Sequence, residues 1–367
     1  MKNISHWKGI IPPQYIYSNR RFKGVVVNPP NFTPGSWCGA GKAIYDPKRD
    51  EFIISSRPRM AKNDVRGFCV DVYASDDGVN NFSLVCRLTK EEITEISGID
   101  THSIEGNQIL RDPLTGNWHF YISIDTGEEF VWGGMNWQTL LLKAPNLSGP
   151  WDSEGLVLRN DQEYDANQAR NGSIDIIDGK YYCIYKADDK ERQTTPGFAT
   201  SIDGIHWEKK GNLTLDGKPY ENGFQAFLSG TFFSGTNGPI FIGLERLHGL
   251  KEEKEQEERQ GSSKDTEKPE MEFADEKKVK HGSGLVNFAA YELDEENLNL
   301  KKIFTHEWIP LSPYEFKGHP LLGFSTMVED PKKNRLLMYI EAMDPHYTEK
   351  MGLNETVERV LVYEIPL

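Results

Sequence analysis

The chain has 367 residues, and its 42 Lys and Arg against 56 Asp and Glu give a formal net charge of −14 at pH 7. This acidity argues against a nucleic-acid partner, because phosphate binding requires a basic surface or stripe. The sequence also lacks the apolar run of ~20 residues that a membrane-spanning helix requires. We therefore expect neither a nucleic-acid nor a membrane partner.

The first residues, MKNISHWK, contain no continuous apolar stretch and precede no small-residue cleavage site, which predicts a cytoplasmic protein. No C-x-x-C spacing relates the four cysteines, so neither a zinc site nor a disulfide framework is indicated. Cys69 and Cys86 are placed to face each other across a hairpin, but reduced, buried thiols are the expectation in a cytoplasmic chain.

Short β-branched and aromatic runs separated by tight turns recur along most of the chain, and helical periodicity is scarce. One unit recurs, in which an apolar strand, a turn and a second strand rich in Tyr, Phe, Ile and Leu follow each other. In chain order the five copies span 43–54, 109–121, 174–185, 231–242 and 327–340. Their spacing suits four-stranded blades with loop insertions. The sequence therefore predicts an all-β fold, a single five-bladed β-propeller over residues 1–367.

A charged segment at about 249–282 does not fit this repeat. Residues 251–280 contain 8 basic and 11 acidic residues and almost no apolar ones. Such a segment buries too little surface to offset the entropy of ordering, so a flexible insertion in the fourth blade is predicted. It is either a solvated loop or a lid or docking arm.

In a propeller the start of each first strand and the end of each second strand share one face, the mouth. The Asp-Pro turns lie at the opposite end, so Asp46, Asp112 and Asp330 are interpreted as turn formers. The candidate mouth residues are Trp37, Lys42, Arg57, Asn107, Arg170, Asn171, Arg246 and Glu341 for substrate binding, with Glu105, Asp165 and Glu245 for catalysis.

Carboxylates that converge from several blades provide what hydrolysis of a glycosidic bond needs. One protonated carboxyl donates to the leaving oxygen, and one carboxylate opposite it activates water. Glu105 is predicted as the general acid, Asp165 as the base or water-positioning carboxylate, and Glu245 as the pKa modulator or a sugar-hydroxyl ligand. Trp37 is either a sugar-stacking ring or an ordinary core residue.

These repeats resemble the five-bladed propeller glycosidases, a group that includes family 43 arabinanases and xylosidases, invertase-like enzymes and family 130 mannoside phosphorylases. The resemblance covers about 330 residues and depends on the blade pattern, especially 178–182 and 201–204 with Trp207. It implies a glycoside hydrolase acting on a short oligosaccharide. The three carboxylates of family 43 are not carried over, because the corresponding positions are Lys42, Gln108 and Asn171.

The resemblance also implies a central metal beside a histidine of the fifth blade. That position is Phe324 here, with His319 five residues upstream, so no cofactor is expected and a central calcium is doubtful.

A basic mouth suggests an anionic substrate or co-substrate, either a uronate-like sugar or inorganic phosphate. The contributing residues are Lys42, Arg57, Arg59, Arg170, Lys186 and Arg246. A glycoside phosphorylase and a non-catalytic carbohydrate-binding propeller are therefore the alternatives to a hydrolase. The simpler explanation is that these cations pair with neighbouring carboxylates. The sequence does not indicate an oligomeric state.

Overall fold

The computed structural model describes residues 11–60, 64–127, 136–191, 193–219, 225–248, 286–315, 324–344, 346 and 357–367. The predicted insertion at 249–282 lies outside these ranges. Nearly all regular structure within them is β-strand, as the sequence predicts. The helical elements are α1 (Pro13–Asn19), α2 (Lys90–Ser97) and a 3-10 turn (Glu163–Asp165).

The strands follow each other in five runs, preceded by β1 (Arg21–Val27). The first run comprises β2 (Trp37–Asp46), β3 (Glu51–Met60), β4 (Asp64–Gly67), β5 (Cys69–Ser75) and β6 (Ser83–Thr89). The second comprises β7 (Ser103–Arg111), β8 (Trp118–Asp125), β9 (Trp137–Ala144) and β10 (Asp152–Leu158). The third comprises β11 (Gln168–Ile177), β12 (Lys180–Asp188), β13 (Thr194–Ser201) and β14 (Glu208–Asn212). The fourth comprises β15 (Thr214–Leu215), β16 (Gln225–Ser234), β17 (Pro239–His248), β18 (Val286–Asp294) and β19 (Asn299–Glu307). The fifth comprises β20 (Ser325–Asp330), β21 (Arg335–Met343) and β22 (Glu358–Pro366).

Each run pairs as an antiparallel meander of four main strands. The orders are β2-β3-β5-β6, β7-β8-β9-β10, β11-β12-β13-β14 and β16-β17-β18-β19, and the last is β20-β21-β22-β1. The N-terminal strand thus completes the C-terminal run, with Arg21 opposite Glu364 and Val27 opposite Val360. Two short bridges, Gly67–Ile104 and Gln168–Trp137, join the first three runs into one hydrogen-bonded sheet.

The first strands of the runs contact each other in a ring: β2 meets β7, β7 meets β11, β11 meets β16, β16 meets β20, and β20 meets β2. Side chains on these strands also accept hydrogen bonds from backbone amides of their neighbours. These bonds run from Gly106 N to Asn171 Oδ1 (2.9 Å), Gly230 N to Ser173 Oγ (3.2 Å), Met327 N to Thr231 Oγ1 (2.8 Å) and Ala43 N to Thr326 Oγ1 (3.3 Å).

Five hydrophobic clusters fill the spaces between consecutive runs. Ile53 packs with Phe120 between the first and second runs, and Leu141 with Tyr181 between the second and third. Phe198 packs with Phe241 between the third and fourth runs, and Phe288 with Met338 between the fourth and fifth. Tyr339 packs with Phe52 between the fifth and first runs. Each sheet therefore buries apolar side chains on both faces, which is why its central strands read as nearly continuous hydrophobic runs.

The Asp-Pro turns act as the sequence predicts. Asp46 Oδ1 accepts a hydrogen bond from Lys48 N (3.0 Å), Asp112 Oδ2 from Thr115 N (2.8 Å) and Asp330 Oδ1 from Lys332 N (2.9 Å). The same carboxylates also connect the runs. Arg111 reaches Asp46 at 2.6 Å, and Tyr181 donates to Asp112 at 2.8 Å. These contacts confirm the interpretation of the three aspartates as turn formers.

Helix α2 illustrates how local sequence sets an element's limits. Thr89 Oγ1 accepts from Glu92 N (3.2 Å), and the Glu92 carboxylate accepts from Thr89 N (2.8 Å), which forms a capping box. Gly98, with φ +69°, ends the helix in the left-handed conformation. Neither this helix nor any other within the described ranges is long and apolar enough to cross a membrane. The cysteines are free, and Cys38, Cys69 and Cys183 are buried.

Candidate active site

Charged side chains gather where the first strands begin and the second strands end. At this end Trp37 pairs with Arg59, and Gln168 pairs with Asp188. We call the interacting set the charged cluster; it consists of Arg57, Arg59, Glu105, Arg170, Lys186, Asp188, Arg246, Glu341 and Glu358. Its members come from all five runs. Glu358 is the one member that lies on a third strand, outside the first and second strands from which the sequence candidates were drawn.

Glu105 lies in a two-residue bulge of β7, between Ile104 and Asn107. Its Oε2 is 3.0 Å from Nη2 of Arg57, and its Oε1 is 3.8 Å from Nη1 of Arg170. Burial opposes ionisation, but the two guanidinium groups outweigh it and hold the pKa of Glu105 below its ordinary value. Glu105 is therefore ionised at neutral pH. A general acid must carry a proton, so this environment does not suit the acid role that the sequence predicts.

Asn171 supports the bulge that carries Glu105. It adopts a left-handed backbone conformation (φ +54°), and its Oδ1 accepts from Gly106 N while its own N donates to Ser123 Oγ (2.9 Å each). These two hydrogen bonds link the bulge to β11 and β8. Asn107 is buried beside the bulge, and neither atom of its side-chain amide has a hydrogen-bond partner among the described residues.

Two arginines of β3 are held by close packing. Gly39 and Gly67 leave room for Arg57, since a Cβ on Gly39 would lie 3.1 Å from Nη2 and one on Gly67 would lie 2.8 Å from Cδ. The guanidinium of Arg59 stacks on the Trp37 ring, 3.4 Å from its centroid. One face of Trp37, proposed from the sequence as a sugar platform, is therefore covered by a cation.

Arg170 is held in the same way from the third run. Its guanidinium lies 4.5 Å from the centroid of Trp137, and its Nε donates to Gln168 Oε1 at 2.7 Å. Lys186 lies beside it, with Nζ 3.4 Å from Asp188 Oδ2. Burial lowers the pKa of both Arg170 and Lys186, and their carboxylate neighbours oppose that shift. Both cations are thus poorly solvated, which strengthens their interaction with any anion that reaches them.

Glu341 and Glu358 form a coupled pair on β21 and β22. Glu341 is opposite Val360 and Glu358 is opposite Met343, so the two glutamates are diagonal neighbours on one sheet face. Both side chains are buried. Burial and the Glu341 charge raise the pKa of Glu358 well above its ordinary value, against the opposing effect of Arg57 and Arg59. Burial beside a second carboxylate therefore favours the protonated form of Glu358.

The backbone of Glu358 is anchored at the rim of the first run. Its N–H donates to Ser36 O at 3.2 Å, and its carbonyl accepts from the Cys38 thiol at 3.2 Å. Arg246 interacts with this pair from the fourth run, and burial lowers the pKa of its guanidinium. Arg57, Arg246, Glu341 and Glu105 therefore belong to one interacting cluster.

Asp165 does not join the charged cluster. It is fully buried in the 3-10 turn and accepts hydrogen bonds from Tyr185 OH (3.0 Å), Lys209 Nζ (2.6 Å) and Gln162 N (2.9 Å). Lys209 belongs to β14, the outermost strand of its run, so Asp165 lies toward the periphery. Both of its oxygens are thus occupied by contacts within the third run and its approach.

Glu245 and Lys42 are also committed to structural contacts. Glu245 Oε1 accepts from Lys302 Nζ and Thr305 Oγ1, each at 3.0 Å, on the outer strand β19. Its neighbour Arg246 points to the other sheet face, because side chains alternate along a strand. Lys42, only 2% exposed, forms an ion pair with Asp175 of β11. Glu245 is thus not placed as a pKa modulator of the cluster, and Lys42 lies within the ring of first strands instead of at the mouth.

A metal site is not evident in the part of the chain that the structure describes, where no three His, Cys, Asp or Glu side chains are arranged to hold an ion. His319, which the family resemblance linked to a central calcium, lies outside the described residues. Phe324 is buried near Gly106, where an added Cβ would lie 3.1 Å from its ring.

No protein-family model matches the chain, and no curated protein matches its sequence. Solved structures do match, including a glycosyl hydrolase from Bacteroides ovatus with a TM-score of 0.54 and 14% identity over 97% of this chain and 96% of that one. A Bombyx mori GH32 β-fructofuranosidase has a TM-score of 0.54 and 13% identity over 97% of this chain and 66% of that one. An N-acetylgalactosamine deacetylase from F. plautii has a TM-score of 0.54 and 10% identity over 94% of each chain. At these identities the likeness shows the fold, which is the one that propeller-type glycoside hydrolases have.

Proposed function

We propose that the five runs are the blades of a single five-bladed propeller domain. The contact of β20 with β2 and the hydrophobic cluster between the fifth and first runs support closure of the ring. Strand β1 would then complete the last blade, so that both ends of the described chain stabilise one sheet.

The chain is, on this proposal, a glycoside hydrolase that cleaves a short oligosaccharide. One arrangement carries the proposal: Arg57 interacts both with Glu105, whose pKa is held below its ordinary value, and with the buried pair of Glu341 and Glu358, in which the pKa of Glu358 is raised. Hydrolysis of a glycosidic bond uses such a pair of unlike carboxyl groups. The fold, which glycoside hydrolases share, is consistent with this chemistry.

The roles follow from the protonation states. Glu358 donates its proton to the leaving glycosidic oxygen, and the negative charge it acquires is stabilised by Arg57, Arg59 and Arg246. Glu105 acts from its ionised state, either removing a proton from the attacking water or attacking the anomeric carbon. In the second case water later releases the sugar from Glu105. Glu341 is a positioning residue that raises the pKa of the acid.

The test compares Glu358→Gln and Glu105→Gln on panels of aryl glycosides with poor and good leaving groups. Loss of the acid should lower turnover by roughly 10²–10⁴-fold for poor leaving groups and far less for good ones, which need no proton. Loss of Glu105 should lower turnover for both classes, with partial rescue by azide.

A matched control is Glu51→Gln, which neutralises a glutamate at the opposite end of β3. It should retain full turnover. Wild-type turnover in both site variants, with their folding intact, would refute the assigned roles.

Two alternatives have specific support. The arginines of the cluster favour a phosphorylase, which needs one acid and an anion site; turnover that requires inorganic phosphate and yields a sugar phosphate would identify it. The structural roles of Asp165 and Glu245 favour a non-catalytic carbohydrate-binding propeller. Saturable oligosaccharide binding without any product, across a broad glycan panel, would identify that protein.

A further inference from the structure

The charged cluster, together with Asp125, contains more positive than negative charge. Its five cations are Arg57, Arg59, Arg170, Lys186 and Arg246. Its carboxyl groups are Glu105, Asp188, Glu341 and Glu358, and Asp125 also interacts with Arg170. The raised pKa of Glu358 favours retention of a proton on that carboxyl. Among the described members of this site, positive charge then exceeds negative charge.

Arg57 has donors that no described residue satisfies. Its Nη2 contacts Glu105, but its Nε and Nη1 are buried and have no hydrogen-bond partner within the described ranges. Buried donors left unpaired are costly, and a guanidinium more so than a neutral group. The packing of Gly39 and Gly67 against this side chain keeps it in place. Arg57 is thus held ready for a further acceptor.

Arg59 places a second cation beside Arg57. The two residues are separated by one position on β3, so their side chains leave the same sheet face. Burial and repulsion from Arg57 lower the pKa of Arg59 to about 10. Stacking on Trp37 fixes the plane of its guanidinium. Two oriented guanidinium groups side by side match the two oxygens of a carboxylate.

We propose that Arg57 and Arg59 bind the carboxylate of an acidic sugar, so that the substrate of this site is a uronate-containing oligosaccharide. The inference rests on the proposed function for the reaction but requires only sugar binding for its test. A bound carboxylate would add negative charge to this cationic site. It would also provide an acceptor for Arg57 Nη1, which has none within the described ranges.

Calorimetric titration of the full chain with matched sugars tests this assignment. Galacturonic acid is compared with galactose, and glucuronic acid with glucose, at low ionic strength. At least one acid should bind about tenfold or more tightly than its neutral partner, and added salt should reduce the difference. Equal binding of acid and neutral sugar in both pairs would overturn the inference.

Arg59 is the residue to change, because Arg57 also holds Glu105. Arg59→Gln should abolish the preference for the acid while leaving the neutral sugar's affinity within a few-fold. Arg59→Lys retains the positive charge but lacks the planar guanidinium, so it should restore part of the preference for the acid. It also replaces Arg59→Gln as the test variant if that protein is unstable. Arg49→Gln is the matched control, since Arg49 is exposed and pairs with Glu51. An unchanged preference in folded Arg59→Gln would overturn the assignment.

Inorganic phosphate distinguishes a sugar-borne anion from a free one. Phosphate that binds more tightly than either uronate, and enables turnover of neutral aryl glycosides, would overturn the inference in favour of a phosphorylase. The binding test can also succeed when the proposed hydrolase activity fails. Uronate preference without hydrolysis of any glycoside would support the anion site and contradict the hydrolase.

Discussion

Replacing Asp165 by Asn separates the structural role of this residue from the predicted catalytic one. Asp165 Oδ2 accepts from Tyr185 OH at 3.0 Å and from Lys209 Nζ at 2.6 Å, while Oδ1 accepts from Gln162 N at 2.9 Å. An Asn amide preserves the last contact but loses the charge that pairs with Lys209. Removing one partner of a buried ion pair costs about 3–5 kcal/mol. Lys209 retains Asp161 at 2.9 Å, so we expect a loss of roughly 2–4 kcal/mol.

Urea unfolding followed by tryptophan fluorescence measures this loss as a lower midpoint at unchanged slope. Turnover per folded molecule should remain near that of the wild type. Asp161→Asn is the matched control, because Asp161 is 55% exposed and its surface pair with Lys209 contributes about 0–1 kcal/mol. An Asp165→Asn variant with wild-type stability and turnover reduced by orders of magnitude would refute the structural interpretation and restore the predicted base.

Two further variants test buried charges, one in the ion pair between Lys42 and Asp175 and one at Glu358. Lys42→Met should destabilise the fold by about 3–5 kcal/mol because Asp175 loses its buried partner. Lys48→Met, in the turn after β2, is the control and should leave stability unchanged. Equal urea midpoints for the two variants would contradict this prediction. The raised pKa of Glu358 means that the wild type loses stability as pH rises from the ordinary glutamate range through the folded-state pKa. Glu358→Gln should therefore melt at a higher temperature than the wild type at mildly alkaline pH, with the difference vanishing in acid. Calorimetric scans across pH measure this, and a constant difference would contradict it.

The sequence predicts the features that depend on local chemistry. The Asx turns at Asp46, Asp112 and Asp330 need only neighbouring residues, and the repeat of strand, turn and strand follows from hydrophobic patterning. Glu105 is likewise placed at the mouth by its position near the start of a first strand. Its protonation state was not predictable, because Arg57 and Arg170 reach it from other runs.

Asp165, Glu245 and Glu358 show where topology alone is insufficient. Asp165 precedes β11 by a few residues, but the chain approaches that strand from the outer edge, and Lys209 and Tyr185 bind it there. Strand alternation separates Glu245 from Arg246 without indicating which faces the cluster. Glu358 escaped prediction because it begins a third strand, whereas the candidate list drew on first and second strands.

The central claim is that Glu358 is protonated at neutral pH while Glu105 is ionised. Infrared difference spectroscopy of the carboxylic-acid C=O stretch measures this without any substrate. The wild-type spectrum should contain a protonated-carboxyl band that disappears in Glu358→Gln and persists in Glu105→Gln. A band that persists in Glu358→Gln and disappears in Glu105→Gln would contradict the account.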